Sequence, residues 1–303
     1  MGKVLKWIAI VIGTLLGLVI LFIAGLAIYA NLRFKPSFAD RPLYPITADT
    51  SPAGMERGKY LMEDAMLCTE ACHTPESGKP LSGEFEEINQ GPISVTFAPP
   101  NLTPDKETGL GNWTDAEIAR AIREGVDKDG VGLMVMPSYS FHYLSDADVA
   151  AMVGYLKSLE PVSNAIPPFR ANVFAKIMNA LGAFGPPAVT EPITDEQITP
   201  QKGTVEHGTY LVKISGCEDC HKPNLAGGQL PFAEPGTPPS ANLTPAGELV
   251  GWTVEDFIKA VREGVKPSGS ELSEGMPRYQ MTDEDLAAIF SYLKTVPPAQ
   301  PAE

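Results

Sequence analysis

Four cysteines carry most of the chemistry open to this 303-residue chain, and each pair lies directly ahead of a histidine. Cys217-Glu218-Asp219-Cys220-His221 reads C-x-x-C-H. Two thiols one helical turn apart can add to the two vinyl groups of a haem, and the adjoining imidazole then reaches the iron. Cys68-Thr69-Glu70-Ala71-Cys72-His73 keeps the same order with one extra residue, C-x-x-x-C-H. Other chemistries use the same residue types. Disulfides are disfavoured for thiols paired so locally in a long chain. Zinc could take Cys4His2, but the two clusters are far apart in sequence and each would need further ligands. A thioredoxin-like dithiol calls for a βαβ setting that the sequence does not supply. The spacing therefore predicts two covalently bound haem c groups, on Cys68 and Cys72 and on Cys217 and Cys220, with His73 and His221 as iron ligands.

A sixth ligand is sought next. Met136-Pro137-x-Tyr139 and Met276-Pro277-x-Tyr279 recur at matched places, 63 and 55 residues after the motif histidine. Methionine is ordinarily core filler, yet its repetition inside a Pro-containing loop points to Met136 and Met276 as distal ligands; His/Met ligation raises a haem's potential. Met134 is the neighbouring alternative but lacks the proline. Of the two remaining histidines, His142 has no counterpart in the second half, and His207 aligns with Arg57 and reads as a surface residue.

The elements that must position these groups come in two copies. Glu56-x-Gly58-x-Tyr60-Leu61 recurs as Glu206-x-Gly208-x-Tyr210-Leu211, Asn101-Leu-Thr-Pro104 as Asn242-Leu-Thr-Pro245, and Trp113-Thr114 as Trp252-Thr253. Arg123-Glu-Gly-Val126 recurs as Arg262-Glu-Gly-Val265, and Tyr155-Leu-Lys157 as Tyr292-Leu-Lys294. The offset falls from 150 to 137 while the order is kept, the mark of a duplicated domain whose loops differ in length. Thr114-x-x-Glu117 opens a helix that Gly125 ends. Ser145-x-x-Asp148 and Thr282-x-x-Asp285 open the last helix of each copy, whose core stripes are Val149, Met152, Val153, Leu156 and Leu286, Ile289, Phe290, Leu293. No alternating strand pattern stands out, so the predicted class is all-α with long loops. The predicted division is an anchor over 1–35, a linker over 36–50, haem domains over 51–160 and 205–297, a Pro-rich linker over 161–204 and a tail over 298–303. Phe174, Ile177, Met178 and Leu181 form one apolar stripe in that second linker, which predicts a short helix.

Trp7 to Ala30 is an uncharged run of 24 residues. As a helix it spans about 36 Å, enough for a hydrocarbon core of about 30 Å. It is longer than the apolar region of a cleaved signal peptide, so an uncleaved transmembrane anchor is expected. Lys3 and Lys6 on one side balance Arg33 and Lys35 on the other, leaving orientation open on charge alone. The whole chain carries a net charge of −14. All 37 acidic residues lie beyond residue 35, against four basic residues and no acid before it. Such a body excludes nucleic acid as a partner and suits a redox protein with a basic docking face.

Taken together, C-x-x-C-H, N-L-T-P, G-W-T ahead of a helix, E-G-V, M-P-x-Y and a closing helix ending Y-L-K resemble class I cytochromes c. The chain is similar in particular to the mono- and di-haem group that includes cytochrome subunits of membrane-bound dehydrogenases. The resemblance covers residues 51–160 and 205–297. It implies a cytochrome c fold and one covalent haem per domain, with Cys68, Cys72, Cys217 and Cys220 as attachment points, His73 and His221 proximal, and Met136 and Met276 distal. It further implies one-electron transfer outside the cytoplasm, with the N-terminus inside and residues 36–303 periplasmic. Two departures stand out. The extra residue between Cys68 and Cys72 leaves a single thioether through Cys72 open, and dehydrogenase subunits of this type commonly carry three haem motifs rather than two. A di-haem peroxidase or thiosulfate-oxidising enzyme, kept open by His142, and a fixed subunit of a larger respiratory or photosynthetic complex are the alternatives.

Overall fold

The computed structural model describes residues 2–75, 78–183, 189–230 and 236–301, so parts of the second linker (184–188) and of the tail (302, 303) lie outside the described residues. The chain is mainly helical. Helix α1, Gly2–Arg33, is a single rod whose apolar stretch is exposed along its length. The first repeat contains α2 (Pro52–Tyr60), α3 (Asp115–Glu124), α4 (Ser138–Phe141) and α5 (Asp146–Ser158). Linker helix α6 (Val173–Ala180) follows, with its start capped by Asn172. The second repeat contains α7 (Val205–Ile214), α8 (Cys217–His221), α9 (Val254–Glu263) and α10 (Asp283–Leu293).

Helix boundaries follow the sequence closely. Thr114 with Glu117, and Thr253 with Asp256, form reciprocal capping boxes, and Gly125 and Gly264 close the same two helices in the left-handed conformation. Ser145 and Thr282 cap α5 and α10 through the amides of Asp148 and Asp285. In each repeat the first helix crosses the last, α2 on α5 and α7 on α10. Gly58 and Gly208 stand at these crossings, where a Cβ would overlap the carbonyl oxygens of Ala151 and Ala288. Gly58→Ala or Gly208→Ala should therefore force the helices apart and cost about 1–3 kcal/mol, read as a lowered midpoint of denaturant unfolding.

One element departs from the all-helical expectation. Strands β1 (Glu86–Gln90) and β2 (Ile93–Phe97) form an antiparallel hairpin, with Glu86 opposite Phe97 and Gln90 opposite Ile93. Gly91, at φ +56°, starts its two-residue turn, where a positive φ is required. A two-residue strand, β3 (Arg170–Ala171), adds to β2 on the other edge. The hairpin escapes a pattern search because β1 is almost wholly solvent-facing and β2 is only partly covered. Its partner β3 comes from the linker, which local sequence does not announce.

The two repeats meet in a reciprocal contact. Tyr60 of α2 donates from its hydroxyl to Asp285 Oδ2 at 2.5 Å, and Tyr210 of α7 donates to Asp148 Oδ2 at 2.6 Å. Because Tyr60 matches Tyr210 and Asp148 matches Asp285 in the repeat, the pair of bonds is related by a pseudo-two-fold axis. Arg57 completes one half by a bidentate pairing with Asp148, 2.9 Å in both arms. His207 occupies Arg57's place in the other half. It is fully buried, contrary to the surface position expected, with Asp285 Oδ1 3.7 Å from its Nδ1. The physical reason is the interface itself: the helix face that would meet water in an isolated domain is covered by the other repeat. Desolvation holds the His207 imidazole below its ordinary pKa.

Candidate functional site

In the second repeat, α8 is one α-helical turn that carries Cys217, Cys220 and His221. His221 is 7% exposed, and its Nδ1 lies 2.8 Å from the Ala241 carbonyl. That carbonyl precedes the Asn-Leu-Thr-Pro segment, and the segment is pinned from both sides. Leu243 N–H donates to the Leu225 carbonyl, and Asn242 Nδ2 donates to the Ala299 carbonyl. An Nδ1–H given to the backbone fixes the tautomer and leaves the Nε2 lone pair free for a metal. The first repeat reproduces the arrangement. His73 Nδ1 lies 2.9 Å from the Pro100 carbonyl, Leu102 N–H donates to Leu81, and Asn101 Nδ2 donates to Val162. Leu81 and Leu225 share a left-handed backbone at φ +61° and +56°. For a branched residue this is strained, and its appearance in both copies at fully buried side chains shows how tightly the loop behind the histidine is determined.

The extra residue of C-x-x-x-C-H has a structural answer. Thr69–His73 is a π-helical turn where α8 is α-helical, and Leu61–Ala65, the continuation of α2, is another. The offset between repeats is 150 at Tyr60/Tyr210, 149 at Cys68/Cys217 and 148 at His73/His221. Each π turn absorbs one surplus residue. The wider turn carries Cys72 and His73 round to the position their counterparts hold in α8. A sequence search keyed to strict C-x-x-C-H spacing misses this, whereas the falling offset contains the signal.

Burial sets the protonation of these groups. Desolvation pushes the Cys68 and Cys217 thiols up to about 12, raises Cys72 and Cys220, and holds both His73 and His221 below the ordinary imidazole value. No disulfide joins the four cysteines. Among the described residues no three His, Cys, Asp or Glu side chains converge. Instead, the second repeat encloses a cavity of about 600 Å³ lined by Cys217, Cys220, His221, Trp252, Met276 and Tyr279. This is the size of a cofactor pocket, with two thiols, one imidazole and one thioether on its wall. That donor set fits a haem.

Met276 packs against the core from the cavity wall, and Met136 packs against the core together with Cys68. Met134 is not among the residues packed there. His142 holds its Nδ1 3.2 Å from the Arg123 carbonyl and 3.0 Å from the Thr190 hydroxyl, contacts that fix its ring but leave Nε2 uncommitted. The two sites adjoin. Ser140 Oγ donates to Asp219 Oδ1 at 3.2 Å. Helix α4, just after Met136, thus rests on the turn between Cys217 and Cys220. Sequence reading missed this contact, because Asp219 and Ser140 have no matched partners in the repeat.

Comparison with known proteins agrees with this geometry. The family described as cytochrome c matches residues 55–160 and 205–297. The cytochrome c subunit of alcohol dehydrogenase (quinone) from Gluconobacter oxydans is 30% identical over 82% of this chain and 56% of its own length. The corresponding subunit from Gluconacetobacter polyoxogenes is 29% identical over 85% and 59%. The chain thus spans under three fifths of the length of these relatives. A diheme cytochrome c-type protein from Cereibacter sphaeroides is 27% identical over 84% of this chain and 91% of its own. The matched regions take in about two thirds of the residues, both cysteine–histidine motifs and both helix crossings; the chain belongs to the cytochrome c family, whose domains carry covalently bound haem.

Proposed function

We propose that this protein is a membrane-anchored di-haem cytochrome c that passes single electrons between a membrane or periplasmic donor and a downstream acceptor. The observation that supports this best is the duplication of one imidazole geometry. In both repeats a buried histidine on the cysteine-bearing turn gives Nδ1–H to a backbone carbonyl, and in the second repeat Met276 shares a cavity wall with it. In this reading Cys68, Cys72, Cys217 and Cys220 hold the haems, His73 and His221 are proximal ligands, and Met136 and Met276 are distal. Bound haem supplies reversible one-electron iron chemistry. The protein's own residues hold and orient it, exclude water and set its potential.

The division into an anchor (1–35), haem domains (51–160 and 205–297) and connecting segments belongs to the same proposal. So does the placing of residues 36–303 outside the cytoplasm, with α1 crossing the bacterial cytoplasmic membrane. The acidic body suits a redox partner with a basic docking face, whose encounter weakens as salt screens the field. The names of the dehydrogenase relatives support a variant in which that partner is a permanent neighbour; electron transfer would then be insensitive to salt until the complex dissociates.

Counting haem tests the central claim. The denatured chain is expected to retain two haems through acid-acetone extraction, with a c-type pyridine haemochrome. One haem per chain, or bound zinc, would refute the di-haem assignment.

A further inference from the structure

The two longest acid-free stretches of this acid-rich chain meet in space. Residues 1–39 and 161–190 contain no Asp or Glu, although the chain has 37. The structure brings these two stretches together: α6 packs against α1. Lys176 Nζ donates to Asn31 Oδ1 at 2.8 Å and sits 4.7 Å from the centre of the Phe34 ring. Phe34 also stacks on Phe169 at 5.7 Å. Ala30 near the end of α1 and Phe34 just past it are thereby buried, Leu26 and Ala27 are half-buried, and the helix before them is exposed.

Helix α6 is held there from its other end as well. Asn172 N–H donates to the Ser94 carbonyl and its side chain donates to the Pro92 carbonyl, so the hairpin grips the start of α6. The acidic strand β1 lies on the far edge of that sheet, away from β3 and α6. What α6 then offers to the outside is apolar. Val173 is 57% exposed, Phe174 42% and Leu181, just past its end, 65%. Arg33, Lys35 and Arg170, in the same acid-free stretches, are exposed.

We infer that α6 is an interfacial helix that lies on the outer leaflet of the bilayer beside the point where α1 emerges, with Val173, Phe174 and Leu181 in the acyl boundary and Arg33, Lys35 and Arg170 among anionic headgroups. The inference rests on the proposed anchoring of α1. An apolar face, exposed basic residues in the segments that flank it and an absence of acids are the combination that binds an anionic lipid surface. Continuity with a membrane-crossing helix decides the occupant, since a bilayer enclosing α1 must end close to residue 33 and so beside α6. With α1 as the first attachment and α6 as a second, the repeats are set at a fixed attitude above the membrane.

Photocrosslinking of the full chain in phosphatidylethanolamine/phosphatidylglycerol vesicles tests this. A benzophenone side chain is placed at position 174, at 22 within α1, or at 250, where Val250 is exposed on the second repeat. An unchanged c-type absorption spectrum shows that each labelled chain is folded. Lipid adducts are expected at 174 and 22 and not at 250. Adducts at 22 without any at 174 would overturn the interfacial helix and leave the anchor standing. No adduct at either 22 or 174 would overturn both. Protein adducts in place of lipid at 174, in native membranes, would make this face a subunit contact and overturn the lipid assignment.

Discussion

Met276→Ala is expected to abolish the weak near-infrared band of methionine-ligated ferric haem at the second site and to lower that site's potential by on the order of 100 mV, since axial ligands tune haem potentials over roughly 0.8 V. The informative control is Met281, five residues on and 2% exposed. It also borders the cavity, so Met281→Ala should cost about 2–5 kcal/mol as a large-to-small core change while the near-infrared band persists. Spectroelectrochemistry of the two variants separates a ligand from a filler. In the first repeat Met136→Ala should behave as Met276→Ala does, and His142→Ala should leave both band and potential in place. Loss of low-spin character on changing His142, with Met136→Ala silent, would transfer the first haem to His/His ligation.

Asp148→Ala is expected to be the most destabilising single change at the contact between repeats. It removes both hydrogen bonds from the Arg57 guanidinium and the acceptor of Tyr210. With the Arg57 side chain only 20% exposed, most of a charge is stranded, at a cost of about 3–5 kcal/mol. Asp285→Ala, at the symmetry-related place, should cost less, about 1–3 kcal/mol. Its partners are the neutral Tyr60 hydroxyl and a His207 ring that desolvation keeps neutral near pH 7. Denaturant unfolding of the haem-loaded protein, monitored at the Soret band, gives both values. Equal and small losses would show that the reciprocal bonds contribute little to joining the repeats.

Much of the site could be read in the sequence because its parts are local and occur twice. The capping residues, the left-handed glycines, the Asn-Leu-Thr-Pro segments and the cysteine–histidine motifs each need only a few adjacent residues. Matching one copy against the other then separated Met136 from Met134. What escaped was whatever depends on a partner distant in sequence. The hairpin is completed by Arg170–Ala171, some 75 residues from β2. His207 looked solvent-facing because nothing near it in sequence announces that Asp285 and the first repeat cover it. The π turns fell between these cases. Their two surplus residues were countable, but how a helix accommodates an insertion is settled by the backbone, not by side-chain pattern.

The reciprocal Tyr–Asp bonds have a further meaning when the two repeats are considered as separate molecules. A surface that pairs with a copy of itself is how two identical subunits close a dimer, and here that closure occurs inside one polypeptide. Two identical subunits share every substitution. Once joined, each half can change alone, as Arg57 against His207 and the surplus residues before Cys72 already record. The tether also keeps the partner at a high effective concentration whatever the expression level, so contacts can weaken on one side without the pair dissociating. Fusion thereby turns a symmetric pair into a chain whose two halves are free to differ.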